Sequence, residues 1–396
     1  MTRIVANQLP YLVAGGHKVD LFACDLDVSL VPAGVRAVRV PTHFRGVGRA
    51  LELGNYDVVV ACTDPFYKIV AGLHLKAVTI AYEHGYIPVE LTIPEERESH
   101  RKMVEARVSE IYPAFTAVVT ISRYAVDYIR WPKAMVLYNG GDHFAKLGGA
   151  ATAKIASTAA TAQGNNVAPL TKTATLTVLM VTRFRTTEWL YKGLDELCRL
   201  KGDLGEGYNI VVVGGGDNDT YAKLAACGID ARPPVKDPAK MAELYNSCDV
   251  LVSFSKCEMF NLPLVEAGFA HKPALALNVC AHPEVTPFVF ESYEGIRDYL
   301  KNATAESLNA DGEKMFQFVD GKFRSEYNGK RFAEIVNEVC PAPANGRASF
   351  AFHFYWMFWK LRNFVRVGIY QKLRAAGSHK CCDSKCCDSK CRGEAE

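Results

Sequence analysis

Residues 255–277, SKCEMFNLPLVEAGFAHKPALAL, place Glu258 and Glu266 with seven residues between them and Pro263 in the interval. The apolar run DVLVSF at 249–254 precedes them and is typical of a buried strand. Since proline is favoured at the first position of a helix, a helix is predicted to begin near Pro263, with Glu266 in its first turn. The loop that carries Glu258 and the start of this helix are therefore expected at the carboxyl end of one strand.

Short apolar runs alternate with helix-length segments in both halves of the chain. The runs lie at 56–62, 76–82, 117–121, 176–182, 208–213, 249–254 and 273–277. Near-continuous apolar strands of this kind predict parallel sheets that are covered by helices on both faces. The predicted fold class is α/β, with two Rossmann-like, doubly wound domains. Ligands of such folds bind at the carboxyl ends of the strands, so the site is expected in a cleft between the domains.

Composition narrows the class of protein. The chain has 396 residues, of which 49% are hydrophobic, and this length is sufficient for two packed domains. A net charge of +3 without a basic stripe argues against a nucleic-acid partner. Neither a signal peptide nor an apolar run long enough to span a bilayer is found, which predicts a cytoplasmic protein. Eight of the 13 cysteines are scattered singly, as expected for reduced thiols.

The stretch 146–173 is rich in Ala, Thr and Gly and offers little for a core, so it is interpreted as an interdomain linker. Domains are therefore predicted at 1–145 and 174–335.

Two cations follow the predicted strand at 176–182. Arg183 lies at the strand end and Lys192 at the start of the next helix, an arrangement that suits a diphosphate. The alternative is a solvated basic loop. Gly214 and Gly215 follow the next strand, where glycine permits close approach of the backbone to an anion. A purely structural turn is the favoured interpretation of these glycines.

The two glutamates complete the candidate site. The carboxylate of Glu266 can accept hydrogen bonds from both vicinal hydroxyls of a ribose, while helix N–H groups hold phosphates. Glu258 and the loop residues after it, Met259, Phe260, Asn261 and Leu262, would then lie near the group beyond the diphosphate. The alternative makes Glu266 a partner of the helix dipole and Glu258 a surface acid.

This half of the chain resembles the nucleotide-sugar domain of retaining, family 4 type glycosyltransferases with the GT-B fold. The pieces that carry the resemblance are RFRTTEWLYKGLDEL (183–197), IVVVGGGDNDTYAKLA (210–225), the stretch from 241 to 277 and HPEV (282–285). The resemblance implies that Glu258 contacts the donor sugar, Glu266 the ribose, and Arg183 and Lys192 the diphosphate. AVVTISRYAVDYI (117–129) and VLYNGGDHF (136–144) resemble the acceptor-side domain, and His84 stands where the family often has a cleft histidine.

The implied reaction is transfer of a sugar from a nucleoside-diphosphate sugar to a hydroxyl of a glycan or lipid-linked glycan, an activity of the EC 2.4 type. The anomeric configuration would be retained, with no metal and no cofactor. Glu258, Arg183, Lys192 and His84 are the expected catalytic residues. An inactive donor-binding or scaffolding relative is the alternative, and a UDP-sugar epimerase is a weaker one.

The chain departs from the family at two places that bear on the site. Its first residues already have helical spacing, so the family's first strand and glycine loop are expected to be absent from this position. The alternatives are a misplaced start, a truncation, or another segment that fills the gap. Met259 and Asn261 stand where glycines are usual, and methionine tolerates positive φ poorly. A reshaped donor pocket is therefore expected.

The segment 336–376 is aromatic and basic and is predicted to be helical. Between 347 and 374 it has basic residues and no acidic ones, which suits the surface of an anionic membrane on its cytosolic face. The alternative is a helix that packs on the first domain. The Cys-rich tail, 377–396, repeats KCCDS and is interpreted as low-complexity sequence without a metal site.

Overall fold

The computed structural model describes residues 2–23, 28, 31–40, 50–51, 55–73, 75–144, 175–340 and 349–354. The predicted linker at 146–173 and the Cys-rich tail lie outside the described residues. Within the described part the chain forms two sheets whose strand pairs are all parallel. The predicted α/β class with two Rossmann-like domains is confirmed.

The first sheet has seven strands in the order β2-β1-β13-β3-β4-β5-β6. Their bounds are β1 Lys18–Ala23, β2 Val35–Arg39, β3 Val58–Ala61, β4 Val78–Glu83, β5 Ala117–Thr120, β6 Met135–Val136 and β13 Ser349–Phe354. The helices of this domain are α1 Thr2–Ala14, α2 Phe66–Gly72, α3 Pro94–Ala106 and α4 Arg123–Tyr128. Strands β3 and β4 are almost wholly buried, as their continuous apolar sequences require.

One inner strand of the first sheet comes from residues 349–354, which follow the whole second domain. Strand β13 lies between β1 and β3, with Ser349 opposite Lys18 and Phe350 opposite Val58. The gap expected at the first strand is thus filled by residues 349–354, and the helix predicted there is wrong for those residues. The reason is visible in SFAFHF, where aromatic residues alternate with a period of two, the repeat of a strand. Residues 341–348 and 355–376 lie outside the described part.

The second sheet has six strands in the order β12-β11-β10-β7-β8-β9. Their bounds are β7 Leu176–Val181, β8 Tyr208–Val213, β9 Asp230–Arg232, β10 Val250–Ser253, β11 Ala274–Leu277 and β12 Phe288–Phe290. The helices that follow are α5 Leu194–Leu204, α6 Asn218–Ala226, α7 Pro238–Ser247, α8 Leu262–Phe269, α9 His282–Val285, α10 Tyr293–Asn302, α11 Ala305–Asp320 and α12 Ser325–Val339.

Helix α12 returns to the first domain and packs along α1. The contact is close, because a Cβ at Gly329 would lie 2.0 Å from Cδ2 of Tyr11. The apolar face predicted for the first residues is the buried one, with Val5, Leu9 and Leu12 in the core. Both ends of the chain therefore contribute to the first domain.

One pair of cysteines contradicts the prediction of reduced thiols. Cys198 in α5 and Cys227 at the end of α6 form a disulfide, with their Cα atoms 5.5 Å apart. Their separation of 29 residues carries no signal in the sequence, since packing of the two helices brings them together. Cys62, Cys248 and Cys257 are free and buried, as predicted.

Candidate functional site

A cavity of about 180 Å³ lies between the two domains. It is lined by His84, Gly85, Tyr86, Ile87 and Ile121 of the first domain, and by Arg183, Tyr191, Lys192, Cys257, Glu258, Met259 and Phe260 of the second. These residues follow β4, β5, β7 and β10, so the cavity lies at the carboxyl ends of both sheets. Six of the residues singled out from the sequence are among them: His84, Arg183, Lys192, Glu258, Met259 and Phe260.

Lys192 and Glu258 form an ion pair in the cavity wall. Lys192 Nζ lies 2.5 Å from Glu258 Oε1, and the two side chains are only 8% and 17% exposed. Gly193 brings them together: its φ is +68°, and a Cβ there would lie 2.2 Å from the carbonyl oxygen of Phe254, directly after β10. Only glycine allows this close approach of the two loops. The pair places a basic and an acidic side chain at one point of the cavity wall.

Arg183 lies at the rim. Its Nη2 is 2.9 Å from Oε1 of the buried Glu188, while the Arg183 side chain is 58% exposed. The position directly after β7 matches the prediction, and the exposed part of the guanidinium can meet an anion that enters the cavity.

His84 contributes a neutral ring. Burial lowers its pKa from 6.5 to about 3, so the imidazole carries no charge near neutral pH. The ring lies 4.3 Å from that of Tyr82, and Nε2 is buried without a hydrogen-bond partner among the described residues. An uncharged ring nitrogen beside the cavity can bond to a hydroxyl of a ligand.

The donor loop, residues 257–262, avoids the strain expected of it. Positive φ among the non-glycine residues of the described part is confined to Asn55, Arg130, His271 and Cys280, so neither Met259 nor Asn261 requires it. Met259 lies against Gly85, while Asn261 Nδ2 donates to Ser253 Oγ at 2.8 Å and lies 3.0 Å from His282 Nε2.

Asn261 and Leu262 stand behind the cavity wall. Leu262 begins α8, and neither residue lines the cavity. Asn261 instead connects the loop to the buried His282, whose pKa is lowered by burial. The asparagine therefore fixes the loop from behind.

Glu266 lies deeper than predicted. It is the fifth residue of α8 rather than a member of its first turn, and it does not line the cavity. Its Oε1 lies 3.0 Å from Nε2 of His143, and its Oε2 accepts a hydrogen bond from the hydroxyl of Tyr245. Burial and this carboxylate raise the pKa of Tyr245. Neither His143 nor Tyr245 is near Glu266 in sequence, so pattern reasoning could not find them.

Gly214 and Gly215 pack the ends of two strands. A Cβ at Gly214, where φ is +159°, would lie 1.6 Å from the carbonyl oxygen of Thr182. The Phe184 N–H donates to the carbonyl of Gly215 at 2.9 Å. These contacts support the structural interpretation of the glycine run, and ligand contact stays a prediction.

Asp217 and Asp219 form an Asp-x-Asp pattern after β8, so the expectation that no such pattern follows a strand is wrong, and the expected independence of metal gains no support from it. Asp217 accepts hydrogen bonds from the N–H groups of Thr220 and Thr186, which lower its pKa, and so caps α6. In the part of the chain that the structure describes, no group of three or more His, Cys, Asp or Glu side chains could hold a metal ion. No helix among the described residues has the length and apolar character to cross a bilayer.

Glu284 joins the two domains and was not singled out from HPEV. Its carboxylate accepts hydrogen bonds from the N–H groups of Arg123 and Tyr124 at 2.8 and 2.7 Å, and from the hydroxyl of Tyr138 at 2.9 Å. All three donors belong to the first domain. The carboxylate therefore helps to set the separation of the cavity walls.

Comparisons with known proteins agree with this architecture. Residues 175–302 match the family model described as Glycosyl transferases group 1. None of the curated proteins matches the chain in sequence.

Three solved structures illustrate the shared fold. A glycosyltransferase from Rickettsia africae ESF-5 is 15% identical with a TM-score of 0.62, over 85% of this chain and 94% of that chain. Sucrose-phosphate synthase from Thermosynechococcus elongatus is 17% identical with a TM-score of 0.65, over 85% and 92%. Anabaena Alr3699/HepE, solved with UDP-glucose, is 13% identical with a TM-score of 0.63, over 84% and 96%. The chain therefore carries a glycosyl transferases group 1 domain at residues 175–302, within the GT-B fold of two Rossmann-like domains.

Proposed function

We propose that the chain transfers a sugar from a nucleoside-diphosphate sugar to a hydroxyl of a glycan or glycolipid acceptor, with retention of anomeric configuration, as in family 4 type glycosyltransferases. The observation that carries the proposal is the cavity in which Arg183, Lys192, Glu258 and His84 meet. It is supported by the match of residues 175–302 to group 1 glycosyltransferases and by the UDP-glucose bound to a protein of the same fold.

The cations act on the leaving group. When the bond to the sugar breaks, negative charge collects on the departing diphosphate, and Lys192 and Arg183 stabilise that charge. Glu258 keeps the amino group of Lys192 at the cavity wall, with Nζ and Oε1 2.5 Å apart. It also accepts a hydrogen bond from a hydroxyl of the donor sugar. The neutral His84 bonds to another hydroxyl.

The remaining assignments complete the proposal. Glu266 accepts the ribose hydroxyls after exchanging one of its present partners, His143 or Tyr245. Gly214, Gly215, Asn261 and Leu262 belong to the surroundings of the donor. The leaving phosphate takes the proton of the acceptor hydroxyl, so the proposal needs no protein base, metal or cofactor.

The test is a screen of the purified protein against nucleotide sugars, with thermal shift and released diphosphate measured together. Lys192→Met should lower turnover by about 10²–10³-fold, the usual effect of removing one group that stabilises developing charge. Lys330→Met is the matched control, because Lys330 forms an exposed pair with Glu326, on α12 rather than at the cavity.

Three results would contradict the proposal. Near-normal turnover in Lys192→Met would remove the site assignment. A thermal shift without diphosphate release, even with a glycan extract present, would indicate the inactive donor-binding relative. Release of an altered sugar nucleotide without an acceptor would indicate an epimerase.

We also propose a membrane surface as a partner on the cytosolic side. Residues 349–354 form strand β13. The segment proposed to bind the membrane surface is therefore 355–374, within the 347–374 range predicted from the sequence. Replacing Lys360, Arg362 and Arg366 by Gln should reduce flotation with anionic vesicles, since interfacial binding depends on these charges. Equal flotation would contradict it.

A further inference from the structure

Met259 forms the apolar part of the cavity wall. It lies between Glu258 and Phe260 in the donor loop, lines the cavity, and is only 7% exposed. The neighbouring side chains Glu258, Lys192 and His84 offer charges or hydrogen bonds, whereas the thioether of Met259 offers almost none. A ligand group directed at Met259 therefore meets a barrier rather than a partner.

Met259 packs against the backbone of Gly85, which also lines the cavity. Gly85 has a φ of +84°, and a Cβ there would lie 2.3 Å from Cγ of Met259, so the methionine already rests on bare backbone. That backbone is anchored: the Gly85 N–H donates to Oε1 of Glu83 at 3.0 Å, and Oε2 of Glu83 accepts from Arg107 Nη1 at 2.7 Å and Tyr112 at 2.9 Å. Since close-packed interiors have no spare space, Met259 cannot move into the first domain.

We propose that Met259 determines which donor sugar the cavity accepts, admitting unsubstituted hexoses and excluding N-acetylated hexosamines. This inference rests on the proposed glycosyltransferase function. An acetamido group adds roughly as much bulk as the methionine side chain occupies, and its amide would face the apolar Met259 side chain in place of water. Steric discrimination and the loss of water from the amide thus act in the same direction.

The experiment compares UDP-glucose with UDP-N-acetylglucosamine in the full-length protein, as kcat/KM for UDP release. Wild-type protein should prefer UDP-glucose. Met259→Ala should shift the ratio of kcat/KM values towards UDP-N-acetylglucosamine by roughly 10–200-fold, the usual range for size discrimination in an apolar pocket.

Two further variants separate selectivity from folding. Met259→Leu keeps the bulk and should keep the wild-type ratio. Met241→Ala removes an equally buried methionine in α7, outside the cavity, and should leave the ratio unchanged although it creates a void.

The outcomes distinguish the two proposals. If wild-type protein releases no diphosphate from any nucleotide sugar, the proposed function fails, and this inference fails with it. If wild-type protein turns over donors but uses both UDP-sugars equally, or if Met259→Ala leaves the ratio unchanged, the inference alone is overturned.

Discussion

The two sheets are assembled differently. The second takes all six strands from residues 176–290 of one continuous stretch. The first takes its central strand, β13, from residues 349–354, beyond the whole second domain. The second domain can therefore be completed by nearby pairings, whereas the first depends on a contact between distant parts of the chain.

The two domains also differ in the surroundings of a buried basic side chain. Arg107 in the first domain is surrounded: its guanidinium binds Asp64 and Glu83 at 2.5 and 2.7 Å. Lys192 in the second pairs with Glu258 and borders the cavity. Breaking an enclosed ion pair costs stability, while a charge that borders a cavity is available to a ligand. The Arg107 cluster is therefore expected to affect stability, and the Lys192–Glu258 pair the proposed activity.

The largest effect is expected from breaking the centre of the first sheet. Ala351→Pro removes a backbone donor from β13 and should prevent cooperative folding of the first domain, as followed by urea unfolding and hydrogen exchange. Ala37→Pro, in the edge strand β2, is the matched control and should cost far less. Equal losses from both variants would contradict the central position of β13.

A smaller but still large loss is expected from Arg107→Met, which leaves Glu83 buried without its cation. Removal of one partner of a buried ion pair costs about 3–5 kcal/mol of unfolding free energy. Lys192→Met should cost less than Arg107→Met, because Glu258 borders the cavity, where water can solvate its carboxylate. Denaturant unfolding of both variants measures the difference, and equal losses would break the comparison between the two clusters.

A smaller loss of unfolding free energy is expected from breaking the contact between the two domains at Glu284. Glu284→Ala removes three hydrogen bonds to the first domain. Because their donors lose their acceptor, the free energy of unfolding should fall by roughly 1–3 kcal/mol. Glu291→Ala, which removes an exposed bond to Asn278, is the control and should be near neutral. If the two variants unfold at the same urea concentration, Glu284 does not hold the domains together.

Near neutral pH the smallest effect is expected from His84, because its protonation alters stability only under acidic conditions. The folded-state pKa of His84, about 3, lies below its ordinary value of 6.5. The unfolded chain therefore binds a proton that the folded chain excludes, so stability is fully present above pH 6.5 and is lost as the pH falls towards 3. His84→Phe should flatten this part of the stability profile, and an unchanged slope would show that His84 is not held neutral.

Sequence reasoning was most successful where strands and motifs follow one another along the chain. The strands at 176–182, 208–213, 249–254 and 273–277 and the convergence of Arg183 with Lys192 and Glu258 could be predicted, because parallel strands bring their carboxyl ends to one edge.

Long-range contacts could not be predicted in the same way. The pairing of Glu266 with His143 and Tyr245 joins three distant segments, and β13 joins both ends of the chain. The density of aromatic residues in this segment favours a helix on a membrane surface, but the period of two in SFAFHF indicates a strand.

The central position of β13 has a consequence for synthesis. A ribosome delivers α1, β1 and β3 early, but the strand that belongs between β1 and β3 emerges only after the whole second domain. The domain nearest the N-terminus should therefore be the last to complete its sheet, which reverses the usual order of folding during translation. Until then the edges of β1 and β3 remain open to other strands, and this interval is when a chaperone would matter most.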